Sequence, residues 1–298
     1  MRVTQNTTAN LVLNSLQTIR RRMEELEQQA STGVKISAPG DDPVTAQQIL
    51  HMKSLMAAGD QYSRNISNGI SWLSMTEAAM DEMGNVLTRA KELTVQMANA
   101  TSDAKARESG MNEIIQLRNQ LIQLGNTQLN GRYVFGGFKN DTPPFDAAGA
   151  FNGTDDSITI EIDRGAFVPI NYSGGNLLRG GTPPGSTGTD IIGTFDNLIT
   201  ALSANDQAGV QAELPNLESA LSQVLSNRTD LGARMNRLES QKNVIEEMKF
   251  SLTKVLSDKQ DVDFMQVISD LTKQQTAFEA AIAASGKISQ VSLLDYLS

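Results

Sequence analysis

Apolar residues at both ends of the chain recur at alternating intervals of four and three. Val12, Leu16, Ile19, Met23, Leu26 and Ala30 make one series, the a/d spacing of a helix that buries a single narrow stripe. Phe264, Ile268, Leu271, Gln275, Phe278 and Ile282 make a second, and Ile288, Val291 and Leu294 carry its apolar side past a weak point at Gly286. Isolated helices of this length are marginal in water, so each end requires a partner helix. The spacing leaves open whether the termini pair with each other or with neighbouring subunits. A fold that opens and closes on such stripes is expected to use its termini for assembly, and Val12, Leu16, Ile19, Met23, Leu26, Phe264, Ile268, Leu271, Phe278, Ile282, Val291 and Leu294 are the expected assembly seam.

Between the ends the pattern reads helix, small sheet, helix. Gly33 closes the first helix and residues 36–43 turn the chain, with Asp42 placed to cap a new helix whose first residue is Pro43, where a missing N–H costs nothing. Leu73, Thr76, Met80, Met83, Leu87, Ala90, Thr94 and Met97 again alternate three and four, and Ile114, Leu117, Leu121 and Leu124 mark a further helical segment. From Gly131 the chain fills with helix breakers: residues 131–193 hold 13 of the 23 glycines and 5 of the 8 prolines, too many for long helices. Seven of the 14 aromatic residues fall between 131 and 172, which implies a separate small core. Ile158, Ile160 and Ile162 alternate with polar neighbours, Arg164 and Gly165 can turn, and residues 167–172 can return as a second strand. Residues 173–188 read as a Gly-rich loop, and helical pattern resumes near Phe195. Leu231, Met235, Leu238, Ile245, Leu252 and Leu256 then share one series, with Lys242 and Lys249 at two of its positions, where their stems can lie along the seam.

The expected fold is therefore mainly α with a small β insertion: a long antiparallel helical rod or coiled coil formed by the N- and C-terminal segments, interrupted by a β-rich domain. Its expected divisions are an N-terminal axial segment (1–42), the first part of a helical rod (43–130), the β-rich insertion (131–193), the second part of the rod (194–256) and a C-terminal axial segment (257–298).

Composition removes several classes of function. A formal net charge of −9 over 298 residues argues against nucleic acid and anionic membrane as partners, because both recruit clustered positive charge. The one basic cluster, Arg20 to Arg22, is followed at once by Glu24, Glu25 and Glu27 and reads as a solvated helix face. No run of about eighteen apolar residues could span a bilayer, and the N-terminus lacks the features of a cleaved signal peptide. The chain has no cysteine, which excludes disulfides, thiolate metal sites and cysteine nucleophiles and suits work outside the cell.

Candidate chemistry is thin. His51 is the only histidine, so multi-histidine metal sites cannot be built; with no G-x-S-x-G sequence to serve it, His51 reads as a helix-surface residue. Gly131 to Gly136 has the glycine spacing of a phosphate loop, but Gly137 stands where the lysine belongs. Asp155, Asp156, Glu161 and Asp163 lack EF-hand spacing and are expected to solvate a strand and its turn. The sequons at Asn152 and Asn171 read as chance matches. No catalytic, cofactor or metal residue is assigned, and the chain is not expected to be an enzyme.

Four blocks, in order, carry a resemblance. Ser31-Thr32-Gly33-Val34-Lys35-Ile36-Ser37 followed by Asp41-Asp42-Pro43, Arg64 to Ser71, Lys91 to Asn99, and the closing Leu293 to Leu297 resemble the bacterial flagellin family, over about the first hundred and the last seventy residues. Met1 to Thr4, Pro43, Gly131 to Gly137 and Pro143-Pro144-Phe145 are more similar to the junction members of that family than to its filament subunits. The resemblance implies a structural subunit exported unfolded by the flagellar type III pathway to the outside of the cell. Its implied place is a short layer between the hook-side junction protein (hook-associated protein 1) and flagellin, and its implied partners are those two proteins, copies of itself and, before export, a cytosolic chaperone on about residues 264–297. A flagellin filament subunit is the alternative within the family. A surface glycan-binding or glycan-cleaving module, built on the aromatic insertion and carried on a helical stalk, is the alternative from another class.

Overall fold

The computed structural model describes residues 5–99 and 104–297, with side chains described for 10–99 and 104–286. Two units divide the chain: residues 58–247 form one, and residues 1–57 with 248–298 form the other.

The larger unit is built on two long helices, α2 (Pro43–Met97) and α7 (Leu214–Gln260), each of which also supplies residues to the smaller unit. On α2, Leu73, Thr76, Met80, Met83, Leu87, Ala90, Thr94 and Met97 are all buried, a continuous stripe at the 3.6-residue period. Its two hydroxyls are satisfied within the helix, Thr76 Oγ1 donating to the Trp72 carbonyl (2.9 Å) and Thr94 Oγ1 to that of Ala90 (2.7 Å). Leu217, Ala220, Val224, Leu231, Leu238 and Ile245 of α7 are buried in the same core. The helices run antiparallel: Gly69 faces Leu238, Glu77 and Asp81 pair with Arg228, and Lys91 pairs with Glu218. Three further helices, α3 (Ala104–Gly125), α5 (Ile191–Ser203) and α6 (Gln207–Ala212), complete this core, with Asp190 capping α5 through the Gly193 N–H (2.9 Å).

The insertion contains two antiparallel hairpins. Between β1 (Gln128–Leu129) and β2 (Arg132–Tyr133), Asn130 and Gly131 form the turn at φ 51° and 78°, the left-handed pair a two-residue hairpin demands. That geometry accounts for the glycine spacing a phosphate loop would share. Strands β3 (Thr159–Asp163) and β4 (Ala166–Pro169) pair with Ile160 opposite Val168, and Ile162 and Val168 point into the core. The stretch expected to be loop from residue 173 instead begins with a one-turn helix, α4 (Gly174–Leu178). Ser173 caps it by accepting from the Asn176 N–H, and burial of Leu177 and Leu178 on the aromatic core offsets the cost of its two glycines.

The smaller unit comprises α1 (Gln5–Thr32), the start of α2, the end of α7 and α8 (Phe264–Leu297). Residue 33 pairs with 262 and residue 35 with 260, so the end of α1 meets the start of α8 and the two helices run antiparallel. Ala46, Ile49 and Met52 are the buried apolar residues on the first turns of α2.

Candidate functional site

On α1, Val12, Leu16, Ile19, Met23 and Ala30 are half-buried and Leu26 is buried, while the positions between them, except Gln29, are exposed from Asn10 to Thr32. The stripe read from spacing is the covered face of this helix. On α8 the covered face differs from the expected series. Val267 is buried, and Leu271, Gln274, Phe278, Ala281 and Ser285 are half-buried, at intervals of four, three, four, three and four. Leu271 and Phe278 belong to both series. Phe264 (55 %), Ile268 (40 %) and Ile282 (52 %) are exposed, as are Met265 and Gln275. Val291 and Leu294 lie outside the residues whose side chains are described.

A short clasp of extended backbone joins the ends of these helices. Val34 forms an antiparallel bridge with Asp261, flanked by Lys35 N–H donating to the Gln260 carbonyl (2.8 Å) and Val262 N–H to the Gly33 carbonyl (3.1 Å). Lys35 Nζ donates to the Asp258 carbonyl (2.9 Å) in the last turn of α7, where carbonyls lack helical partners and the helix dipole favours a cation. Gly33 has φ 72°, a left-handed helix stop that residues with a Cβ rarely adopt.

Two adjacent aspartates organise the loop that follows. Asp41 accepts from the Ser37 and Ala38 N–H groups (3.0 and 2.9 Å), and these bonds, the Ala38 one first, hold its carboxyl below the ordinary carboxylate value. Asp42 caps α2, accepting from the Thr45 hydroxyl (2.6 Å) and from the Val44 and Thr45 N–H groups (3.1 Å each). The Thr45 side chain, then its backbone, lowers this carboxyl likewise. On α8, Asp263 caps the first turn through the Gln266 N–H (3.1 Å), and Asp270 is held low by Gln266 and then Lys273.

The remaining candidates fall to structural roles. His51 sits exposed on α2. In the insertion, Phe135 and Phe145 are fully buried, and the Phe145 and Phe151 rings pack at 5.4 Å and 50°; a Cβ at Gly174 would come within 2.7 Å of Phe145 and one at Gly175 within 2.8 Å of Phe151. This is a filled aromatic core. Glu161 accepts from the Gly165 N–H and Asp163 from the Arg164 N–H, fixing the β3–β4 turn. Asp155 accepts from the Ser173 hydroxyl. Asn171 is buried, with its amide donating to the Asp156 carbonyl and accepting from the Ile158 N–H, so its sequon is spent on the fold. Sequence reading missed Val267, Gln274 and Ala281 on α8 and the clasp at Lys35. The overlap of the two series at Leu271 and Phe278 was the available signal for the first three.

Comparison with known proteins places this arrangement. Residues 3–140 match the bacterial flagellin N-terminal helical region and residues 214–297 the bacterial flagellin C-terminal helical region. The chain is 30 % identical to flagellar hook-associated protein 3 of Escherichia coli over 89 % of this chain and 90 % of that protein. It is 28 % identical to flagellin of Bacillus subtilis over 97 % of each. Among solved structures, FlgL of Bacillus cereus superposes with a TM-score of 0.60 at 26 % identity, over 70 % of this chain and 99 % of that one. Among the described residues no helix is long and apolar enough to cross a membrane. With matched helical regions at both ends and full-length similarity to flagellar components, the chain belongs to the bacterial flagellin family, as a flagellar structural protein of the hook-associated protein 3 group.

Proposed function

We propose that this chain forms the layer joining the hook to the flagellin filament, with the hook-side junction protein (hook-associated protein 1) on one side, flagellin on the other and copies of itself around the ring. Coiled-coil packing of its terminal helices supplies the cohesion, with the seam of Val12, Leu16, Ile19, Met23 and Leu26 against Phe264, Ile268, Leu271, Phe278, Ile282, Val291 and Leu294 completed only in the lattice. On this reading residues 1–42 and 257–298 are the axial segments, 43–130 and 194–256 the rod, and 131–193 the insertion. The chain is no enzyme; its chemistry is packing. It leaves the cell by the flagellar type III pathway, and a cytosolic chaperone covers α8 before export.

One observation carries the reading. Among the described residues, twelve of the seventeen exposed large hydrophobic side chains lie in residues 1–57 and 248–298, whereas only five of the thirty-nine buried apolar residues do. A unit so poor in core and so rich in exposed apolar surface gains its missing burial from neighbours.

Electron microscopy of cells lacking this chain, with an assay of flagellin in the medium, tests the proposal. Hooks without filaments and shed flagellin are expected. Hooks with neither filaments nor flagellin anywhere would identify a filament subunit, and normal filaments would refute both.

A further inference from the structure

Helix α8 carries two overlapping apolar stripes, and in the isolated chain the poorer one faces α1. Phe264, Ile268, Leu271, Phe278 and Ile282 give five large apolar side chains; the covered face offers Val267, Leu271, Phe278 and Ala281, interleaved with Gln274 and Ser285. Burial free energy alone favours the first, since fully covering a large aliphatic or aromatic side chain is worth about 1.5–3 kcal/mol. The two stripes are displaced by three residues, a rotation of about 60° around the helix axis at 3.6 residues per turn. Something other than hydrophobicity sets that rotation.

We propose that the clasp between residues 33–35 and 260–262 selects the face of α8 that meets α1, and that Lys35 is its positioning residue. The clasp ends one residue before Asp263, the cap of α8, so it fixes both the starting point and the azimuth of the helix. Lys35 holds it twice, through its N–H on Gln260 and its ammonium on Asp258, a contact spanning 223 residues of sequence. Burial agrees with an anchor at this end: the one buried residue on α1 is Leu26 and the one on α8 is Val267, among described side chains, and both lie within about two turns of the clasp. Turned this way, α8 keeps Phe264, Ile268 and Ile282 outward. Only the use of that outward stripe by neighbouring copies rests on the junction reading; the selection itself is a property of the single chain.

The absence of native cysteine makes single thiols clean probes in the full-length monomer. Ile268→Cys and Gln274→Cys are each placed in three backgrounds, with Lys35 native, Lys35→Met or Lys35→Arg, and labelled with Ellman's reagent. With Lys35 native, position 268 reacts faster than 274. In Lys35→Met the order inverts, 274 accelerating and 268 slowing, each by about tenfold, and Lys35→Arg restores the native order. Lys35→Pro, which also removes the N–H bond to Gln260, gives the same inversion. Both thiols accelerating together in Lys35→Met would show that the clasp merely holds the pair shut, and unchanged rates would show that it does nothing; either overturns the proposal. Because the readout is a monomer's, it can fail while hook-filament joining stands, and the reverse.

Discussion

Truncating Leu26 to alanine tests whether the terminal helix pair is an energetically separate, weakly held element. Leu26 is 3 % exposed, the most buried described side chain of α1, while Val12, Leu16, Ile19 and Met23 are only half-covered. A half-covered aliphatic side chain contributes about 1 kcal/mol, roughly half of full burial. Leu→Ala in a closed core costs about 2–5 kcal/mol, the low end applying where the surroundings can collapse. A pair covered on one face can collapse, so about 2 kcal/mol is expected, as much as two of the other seam residues together. Hydrogen exchange of the full chain reads it directly. Amides of α1 and α8 near the clasp should exchange about thirtyfold faster, with those of residues 73–97 unchanged. Leu87→Ala, at a site 1 % exposed in the larger unit, is the control. At about 2–4 °C per kcal/mol for a unit of this size, it should lower the main thermal transition by roughly 5–15 °C, whereas Leu26→Ala should move that transition by no more than about a degree. An equal drop in both variants would refute the argument, because the terminal pair would then unfold with the main core.

Other perturbations address single contacts. Arg228 bridges Glu77 (2.6 Å) and Asp81 (2.8 Å) across the α2–α7 pair, and the two carboxylates hold its guanidinium in the charged form. Because the acids are 40 and 54 % exposed, Arg228→Met should cost only about 1 kcal/mol, read by urea denaturation, and a loss above about 3 kcal/mol would mean a far drier bridge. Tyr172 donates to Asp230 beneath the Arg234 guanidinium, which sits 4.5 Å from its ring; burial first, then that bond, raises its hydroxyl well above the ordinary value. Tyr172→Phe should destabilise the larger unit by about 1 kcal/mol in thermal denaturation, and an unchanged or raised midpoint would contradict the bond. The lowered carboxyl of Asp42 stabilises the fold fully above its ordinary value of 3.8, and that contribution is lost as pH falls through the lower folded value. Hydrogen exchange of the first turn of α2, followed between about pH 5 and 2, should show protection declining in the native chain and already absent at pH 5 in Asp42→Ala.

Most of the fold could be read from spacing because its helices each bury one stripe. Leu73 to Met97 reads correctly on every residue since α2 offers the core no second apolar face of comparable size. The caps at Gly33 and Asp42 read for a similar reason: a left-handed stop and a carboxylate before proline each have few other uses. The one-turn helix at residue 174 was illegible, because its five residues form through burial of Leu177 and Leu178 on an aromatic core that only the folded chain assembles. The Lys35 clasp was hidden for a different reason. Its partners are backbone carbonyls, which every residue carries and no sequence pattern marks.

Helix α8 shows where periodicity reaches its limit. Alternating steps of three and four define a stripe only up to rotation by one interval, so a helix with Leu271 and Phe278 in common to two series satisfies both equally well. Counting apolar side chains selects the Phe264 series; the structure turns the Val267 series toward α1. For a subunit that must stay soluble before it assembles, the choice has a physical advantage. A partner covering the stronger stripe within the monomer would have to be displaced before a neighbour could use it, at the full cost of the burial lost. Covering the weaker stripe leaves α1 and α8 held together by little more than Leu26, Val267 and the clasp, while Phe264, Ile268 and Ile282 remain open to a neighbour without any rearrangement. The marginal pairing of the terminal helices is thus the condition under which one chain can be both a monomer and a lattice subunit.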